Sequence, residues 1–247
     1  MKVVFDDLFY FIYSSDPASS KGRMESIIAA LPTDTDFIDA EPATIDQLEL
    51  AHTIDHINDV KNEGVFDIAS LAAGGAIQTA RLGLNEPCFG LIRPPGHHAS
   101  AESAWGFCYF NNMAVSLLTL KSELLIKTAF VLDVDLHYGD GTDNILGSFN
   151  WVKAYNPAKN NRPDYINEVK DVLSEINVDI IGISAGFDNH KDDWGGLLST
   201  EDYFLLGRMV KEASKACGAG YFALLEGGYN HKVLGQNVTA LINGMSA

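Results

Sequence analysis

The sequence predicts an α/β protein with a mainly parallel sheet held between layers of helices. Three observations point to it. Four apolar runs of strand length recur along the chain: "CFGLI" (88–92), "TAFVLDV" (128–134), "VDIIGISAG" (178–186) and "GYFALLE" (220–226). Such unbroken runs are expected of strands covered on both faces. Helix-like stretches alternate with them, the pattern of βα units. Each run ends in a loop rich in glycine and polar residues, which is where open parallel sheets place their ligands.

The elements follow in order. "KVVF" (2–5) opens the chain as a strand. "TIDQLELAH" begins with Thr44 and Gln47 at capping-box spacing. "VFDIASLAAGGAIQTARLGL" reads as a long helix whose small residues permit close packing. "NNMAVSLLTLK", "RPDYINEVKDVLSEI" and "TEDYFLLGRMVKEASKA" are the intervening helices, the last capped by Ser199 or Thr200. No repeat, linker or low-complexity stretch interrupts the pattern, so residues 1–247 are expected to form one domain. At 247 residues and 47% apolar content, the chain is long enough for one large core.

Lys plus Arg number 17 against 33 Asp plus Glu, a formal charge of −16. That charge repels phosphate backbones and anionic lipid and favours cationic partners, so neither nucleic acid nor a membrane surface is an expected partner. The apolar run "LFYFIYSS" follows Asp6 and Asp7 and is too short to span a bilayer, so no signal peptide or membrane segment is expected. Cys88, Cys108 and Cys217 show no CxxC spacing. They suit reduced thiols in a cytoplasm, packed as small hydrophobes.

The chemistry sits in the loops. In "FVLDVDLHYGDG" (130–141) the strand period of two puts Asp133, Asp135 and His137 on one side. After the first run come His97 and His98 in "RPPGHHA", after the third Asp188 in "GFDNHKDD", and after the fourth Tyr229 in "EGGYN". Asp135, His137 and Asp188 offer two carboxylates and an imidazole, a three-ligand set that leaves one position open as catalytic zinc sites do. Fe(II), Co(II) or Mn(II) also accept these ligands. A lone Asp at a strand end is ordinarily a cap or turn residue. Three ligands on converging loops instead call for a cation, because unpaired buried charge is costly. His97 and His98 can act as base and acid if Asp133 and Asp140 hold their outer nitrogens. Pro94, Pro95 and Gly96 restrict the backbone before them. Gly227 and Gly228 mark a loop that brings Tyr229 close to something. His52, His56, His190 and His231 lack such a context and are expected to be solvated or structurally hydrogen-bonded.

Taken together, "RPPGHHA", "GFCYFNN", "VLDVDLHYGDGT", "SAGFDNHKDD" and "LEGGYN", in this order, resemble the histone deacetylase family in the broad sense, with its bacterial deacetylase-like and acetylpolyamine amidohydrolases. The resemblance runs from roughly Asn62 to Gly244 and implies the three-layer arginase/deacetylase α/β/α sandwich. It implies Asp135, His137 and Asp188 as zinc ligands, and His98 as general base with Asp140 as its partner. It makes His97 the second histidine, partnered by Asp133, and Tyr229 the group that polarises the amide carbonyl. Gly106 and Phe107 would form a wall of a narrow acyl-lysine channel. A potassium ion would sit beside Asp133 and the backbone of Asp135 and His137.

The activity implied is hydrolysis of an N-acyl amine, acetyl-lysine or a small cationic acetylpolyamine, by a cytoplasmic enzyme that can be a homo-oligomer. Two rivals stand beside it. An arginase-like dinuclear hydrolase would want an Asp two residues after Asp188, where this chain has His190. A silent acyl-amine binding protein would be expected to lack His98 or Tyr229, and both are present. The chain also departs from the family pattern. "SSKGRME" stands before the first long helix, Tyr138 replaces a second histidine, and the 142–179 region is short. There "WVKAYNPAKNNRPDY" replaces a strand and a glycine-rich loop from which relatives take the second aromatic wall of the channel and part of the potassium site, which implies an intact catalytic core with a trimmed rim.

Overall fold

A computed structural model describes residues 1–247. Seven strands are present: β1 (Lys2–Phe5), β2 (Asp36–Asp39), β3 (Cys88–Gly90), β4 (Ala129–Asp133), β5 (Val152–Tyr155), β6 (Ile180–Ala185) and β7 (Gly220–Leu225). They form one sheet in the order β2, β1, β3, β7, β6, β4, β5, and every neighbouring pair is parallel. The helices are α1 (Arg23–Ile28), α2 (Ile45–Leu48), α3 (Ile54–Asn62), α4 (Phe66–Gly83), α5 (Asn112–Ser122), α6 (Asp140–Leu146), α7 (Arg162–Ser174), α8 (Thr200–Cys217) and α9 (His231–Ser246). They pack in two groups: α4 with α3, α5 and the strands β1, β3 and β7, and α8 with α7 and α9, the last also against α1. This is the α/β sandwich with a parallel sheet that the sequence predicts. β4 and β6 are buried throughout, as strands between two helical layers must be.

The four apolar runs are four adjacent strands, β3, β7, β6 and β4. Because all are parallel, their following loops open side by side at one edge of the sheet. That adjacency, invisible in chain order, is what assembles the site.

Two expectations need correction. The 142–179 region keeps a strand, since Val152–Tyr155 pairs with β4 from Ala129↔Val152 to Leu132↔Tyr155. Its solvent-facing Lys153 and half-buried Ala154 and Tyr155 are normal for an edge strand and hide the apolar pattern of a central one. Cys217 is only half-buried, although Cys88 and Cys108 are buried.

Caps fix several helix starts. Thr44 and Gln47 form the expected capping box, and Ser199 forms another with Asp202. Asp202 is fully buried, and its carboxylate accepts Arg162 Nε at 2.8 Å and Nη2 at 2.5 Å, together with Ser199 N–H at 2.8 Å. Burial alone would raise its pKa, but the Arg162 guanidinium and the Ser199 donors outweigh burial and lower it. Asp202→Ala should therefore destabilise the fold by roughly 2 kcal/mol, read from denaturant midpoints, the sum of a lost cap and a lost charged hydrogen bond. A carboxyl lowered on folding stabilises above its unfolded pKa and loses that contribution as pH falls through its folded value. The gap between wild type and variant should accordingly narrow below about pH 4.

Candidate active site

β4 ends at Asp133, so Asp135 and His137 lie just past the strand rather than in it. Side-chain to backbone hydrogen bonds keep the alternation going: Asp133 Oδ1 accepts Asp135 N–H at 3.1 Å, and Asp135 Oδ1 accepts His137 N–H at 3.0 Å. Asp188, beyond β6, closes the set by accepting Leu136 N–H through Oδ1 at 3.0 Å. Gly227, beyond β7, donates its N–H to Asp135 Oδ2 at 2.9 Å. The ligand atoms of Asp135, His137 and Asp188 all fall within 4.8 Å of one another.

The arrangement fits a metal. His137 Nδ1 lies 3.2 Å from Asp135 Oδ1 and 3.0 Å from Asp188 Oδ2. Zinc bonds of about 2.0–2.2 Å would set tetrahedral ligand atoms roughly 3.3–3.5 Å apart, close to this spacing. One imidazole N–H cannot point at two carboxylates, and Asp188 Oδ2 is buried without a hydrogen-bond donor. Burial and the charge of Asp135 push the Asp188 carboxyl up to about 6, whereas the carboxylates of Asp135 and Asp188 beside its ring lift His137 to about 10. A divalent cation among these three groups would relieve both strains at once.

The histidine pair stands on the loop after β3. Glu226, fully buried, anchors that loop by accepting Gly96 N–H at 2.7 Å and His97 N–H at 3.2 Å, and burial pushes its carboxyl up to about 7. His97 Nδ1 meets Asp133 Oδ2 at 3.1 Å, and His98 Nδ1 meets Asp140 Oδ1 at 2.6 Å. Burial opposes charge on His97, yet the carboxylates of Asp135 and Asp133 outweigh it and hold this imidazole well above the usual histidine range. For His98, burial and the neighbouring His97 prevail over Asp140 and lower its pKa. One imidazole is thus suited to carry a proton and the other to accept one.

Six of the expected residues, His97, His98, Gly106, Phe107, His137 and Tyr229, line one cavity of about 90 Å³, and Asp135 and Asp188 lie behind His137. Asp133 and Asp140 stand one hydrogen bond behind the imidazoles. Burial, then the charge of Asp135, raises the Tyr229 pKa and keeps its phenol a donor. A further aromatic side chain, from outside the 142–179 region, also lines this cavity. Trp194, in the loop after β6, stacks on Tyr229 at 4.0 Å between centroids and 26° between planes, and Phe107 meets Tyr229 edge-on at 5.9 Å. Asp193 ties the two loops together by accepting the N–H groups of Tyr229 and Asn230 at 2.8 and 2.7 Å.

Sequence reasoning missed Trp194, Asp193, Glu226 and Arg23. Arg23, from α1, is fully buried, donates to the carbonyls of Gly228 at 2.9 Å and Glu226 at 2.6 Å, and lies 5.7 Å from the centre of the Tyr229 ring. It lies in "SSKGRME", a stretch that stands out in the sequence only as a departure from the family pattern. For Trp194 and Asp193 the signal was their place in the loop that carries Asp188. The histidines set aside as structural behave so: His52 Nδ1 contacts Ser100 O and its Nε2 accepts Asn111 N–H, while His190 Nδ1 accepts Asp192 N–H. Tyr138 is exposed. No helix is long and apolar enough to cross a membrane.

Comparison with known proteins gives the same answer. A family model described as histone deacetylase domain matches residues 60–159 and 162–245. A probable deacetylase of Archaeoglobus fulgidus is 36% identical over 207 residues, covering 68% of this chain and 57% of that protein. One of Methanothermobacter thermautotrophicus is 25% identical over 284 aligned positions, covering 92% and 85%. Histone deacetylase 5 of Arabidopsis thaliana is 29% identical over 74% of this chain, which spans only 38% of that protein's length. The solved HDA15 HD domain superposes with a TM-score of 0.86 at 25% identity, over 98% of this chain and 88% of that one. Two imidazole–carboxylate pairs, a three-ligand cluster and a tyrosine on adjacent strand ends, within a chain so matched, are those of a member of the histone deacetylase family.

Proposed function

We propose that this chain is a zinc-dependent amidohydrolase that removes an acetyl or similar short acyl group from an N-acylated amine. The observation that carries the reading is the convergence of the His98–Asp140 pair, the Asp135, His137 and Asp188 cluster and Tyr229 on one small cavity. Zinc held by the three ligands would polarise the acyl carbonyl and acidify water. Iron(II) or cobalt(II) would serve the same ligands. Asp140 engages His98 Nδ1, which leaves Nε2 to accept the proton of the attacking water. Tyr229 donates a hydrogen bond to the carbonyl oxygen as negative charge develops there. The imidazole pair then returns a proton to the leaving amine, and acid and free amine are released.

Asp133 has both carboxylate oxygens engaged, by the Asp135 amide and by His97. A potassium ion there would be held by Asp133 and the backbone of Asp135 and His137, as the family resemblance implies. The formal charge of −16 favours a cationic substrate at the encounter step, and acetyl-lysine and acetylpolyamines both qualify. A panel of acetylated peptides, acetylpolyamines and neutral N-acyl amines, assayed with the zinc-loaded protein, tests the reading. Turnover of the cationic members is expected, and no turnover across the panel would leave an acyl-amine binding protein as the better description.

A further inference from the structure

The turn Trp105–Gly106–Phe107 lies against His98. Gly106 and Phe107 both take positive φ, 60° and 68°, a conformation that is costly for a bulky residue and persists only where the surroundings enforce it. A Cβ at Gly106 would run into the His98 ring, so only glycine lets the turn come this close. The result is that the Trp105 indole covers the imidazole, at 3.9 Å between centroids and 34° between planes. At the same time its Nε1–H donates to Asp140 Oδ2 at 2.8 Å, while the other oxygen of that carboxylate takes His98 Nδ1 at 2.6 Å. Trp105 is itself 56% exposed, so it adds little to the core. The Asp140 side chain is 43% exposed, free to turn toward water were nothing holding it.

We propose that Trp105 is a positioning residue for His98: the indole N–H locks the Asp140 rotamer, and through it the tautomer that presents Nε2 to the cavity, while the ring keeps water off one face of the imidazole. The proposal rests on the reading of His98 as general base. A carboxylate clamped by a second donor holds its first hydrogen bond in plane, the same logic by which outer partners orient the imidazoles of metal sites. Trp105 lines the cavity beside His98 and acts on it through Asp140 and the stacked ring.

The test uses the full zinc-loaded chain, the best substrate of the panel, and protein labelled with ¹⁵N-histidine. Trp105→Phe keeps a ring over His98 and removes the donor; Trp105→Ala removes both. Trp105→Phe should lower kcat about 10-fold with KM changed less than about twofold, in line with the loss of an outer hydrogen-bond partner, and Trp105→Ala should lower kcat further. The Nδ1–H resonance of His98 should move or broaden in Trp105→Phe, while zinc content and the unfolding midpoint stay at wild-type values. A rise in KM with kcat and the His98 resonance unchanged would make Trp105 a substrate wall and overturn the proposal, as would wild-type values throughout. The resonance is read without turnover. Full activity in His98→Ala would therefore show that the base assignment failed, whatever the state of the clamp.

Discussion

Asp188→Ala should abolish zinc binding and reduce hydrolysis to background while leaving the fold intact. The carboxylate sits in a buried site, 3.0 Å from His137 Nδ1, and its Oδ1 also orients the ligand loop by accepting Leu136 N–H at 3.0 Å. Removing it takes away one of the three proposed ligands and loosens a second. Loss of a mere outer-shell partner costs about 10–100-fold in metal affinity, so loss of a ligand should exceed that range. The fold should survive because alanine leaves Asp135 and His137 as a simple hydrogen-bonded ion pair and removes a buried carboxyl that burial already penalises. Zinc stoichiometry by elemental analysis, beside circular dichroism, checks both parts. A variant that kept one zinc per chain would show that the metal is held elsewhere.

Tyr229→Phe should do the opposite, keeping the metal and losing turnover. The ring would still stack on Trp194 and face Phe107, and the loop would still hang from Asp193 by backbone N–H groups that the substitution does not touch. Only the phenol oxygen goes. As a donor to the developing oxyanion, that hydroxyl should be worth about 10²–10³ in kcat, with little change in KM. Steady-state rates at saturating substrate measure it, and a variant as fast as wild type would remove Tyr229 from the chemistry.

Much of this was readable in the chain. β3, β4, β6 and β7 are legible as continuous apolar runs because they are central, covered on both faces. β2 and β5 are not, because they are the two edges of the sheet. Asp36 and Asp39 of β2 face solvent, as does Lys153 of β5, and polar residues on an edge look like loop. α9 is hidden for another reason. Gly235 and Gly244 lower its intrinsic propensity, yet any side chain there would collide with the backbone of Ser26 or Phe204. Close packing on α1 and α8 keeps those glycines, and tertiary contact overrides local preference.

By itself the sequence determined the parallel α/β class and the candidate site residues: His97, His98, Asp133, Asp135, His137, Asp140, Asp188 and Tyr229. Those residues follow four strands whose period and apolarity are local properties, so they can be read one stretch at a time. Only the tertiary structure decided that the four strands are neighbours, that Trp194 stacks on Tyr229, and that Trp105, Glu226 and Arg23 contact the histidine pair and the tyrosine loop. Those facts depend on strand order and on contacts across as many as 205 residues of chain, as between Arg23 and Gly228. No short-range pattern encodes such contacts, because their energy exists only once the intervening chain has packed.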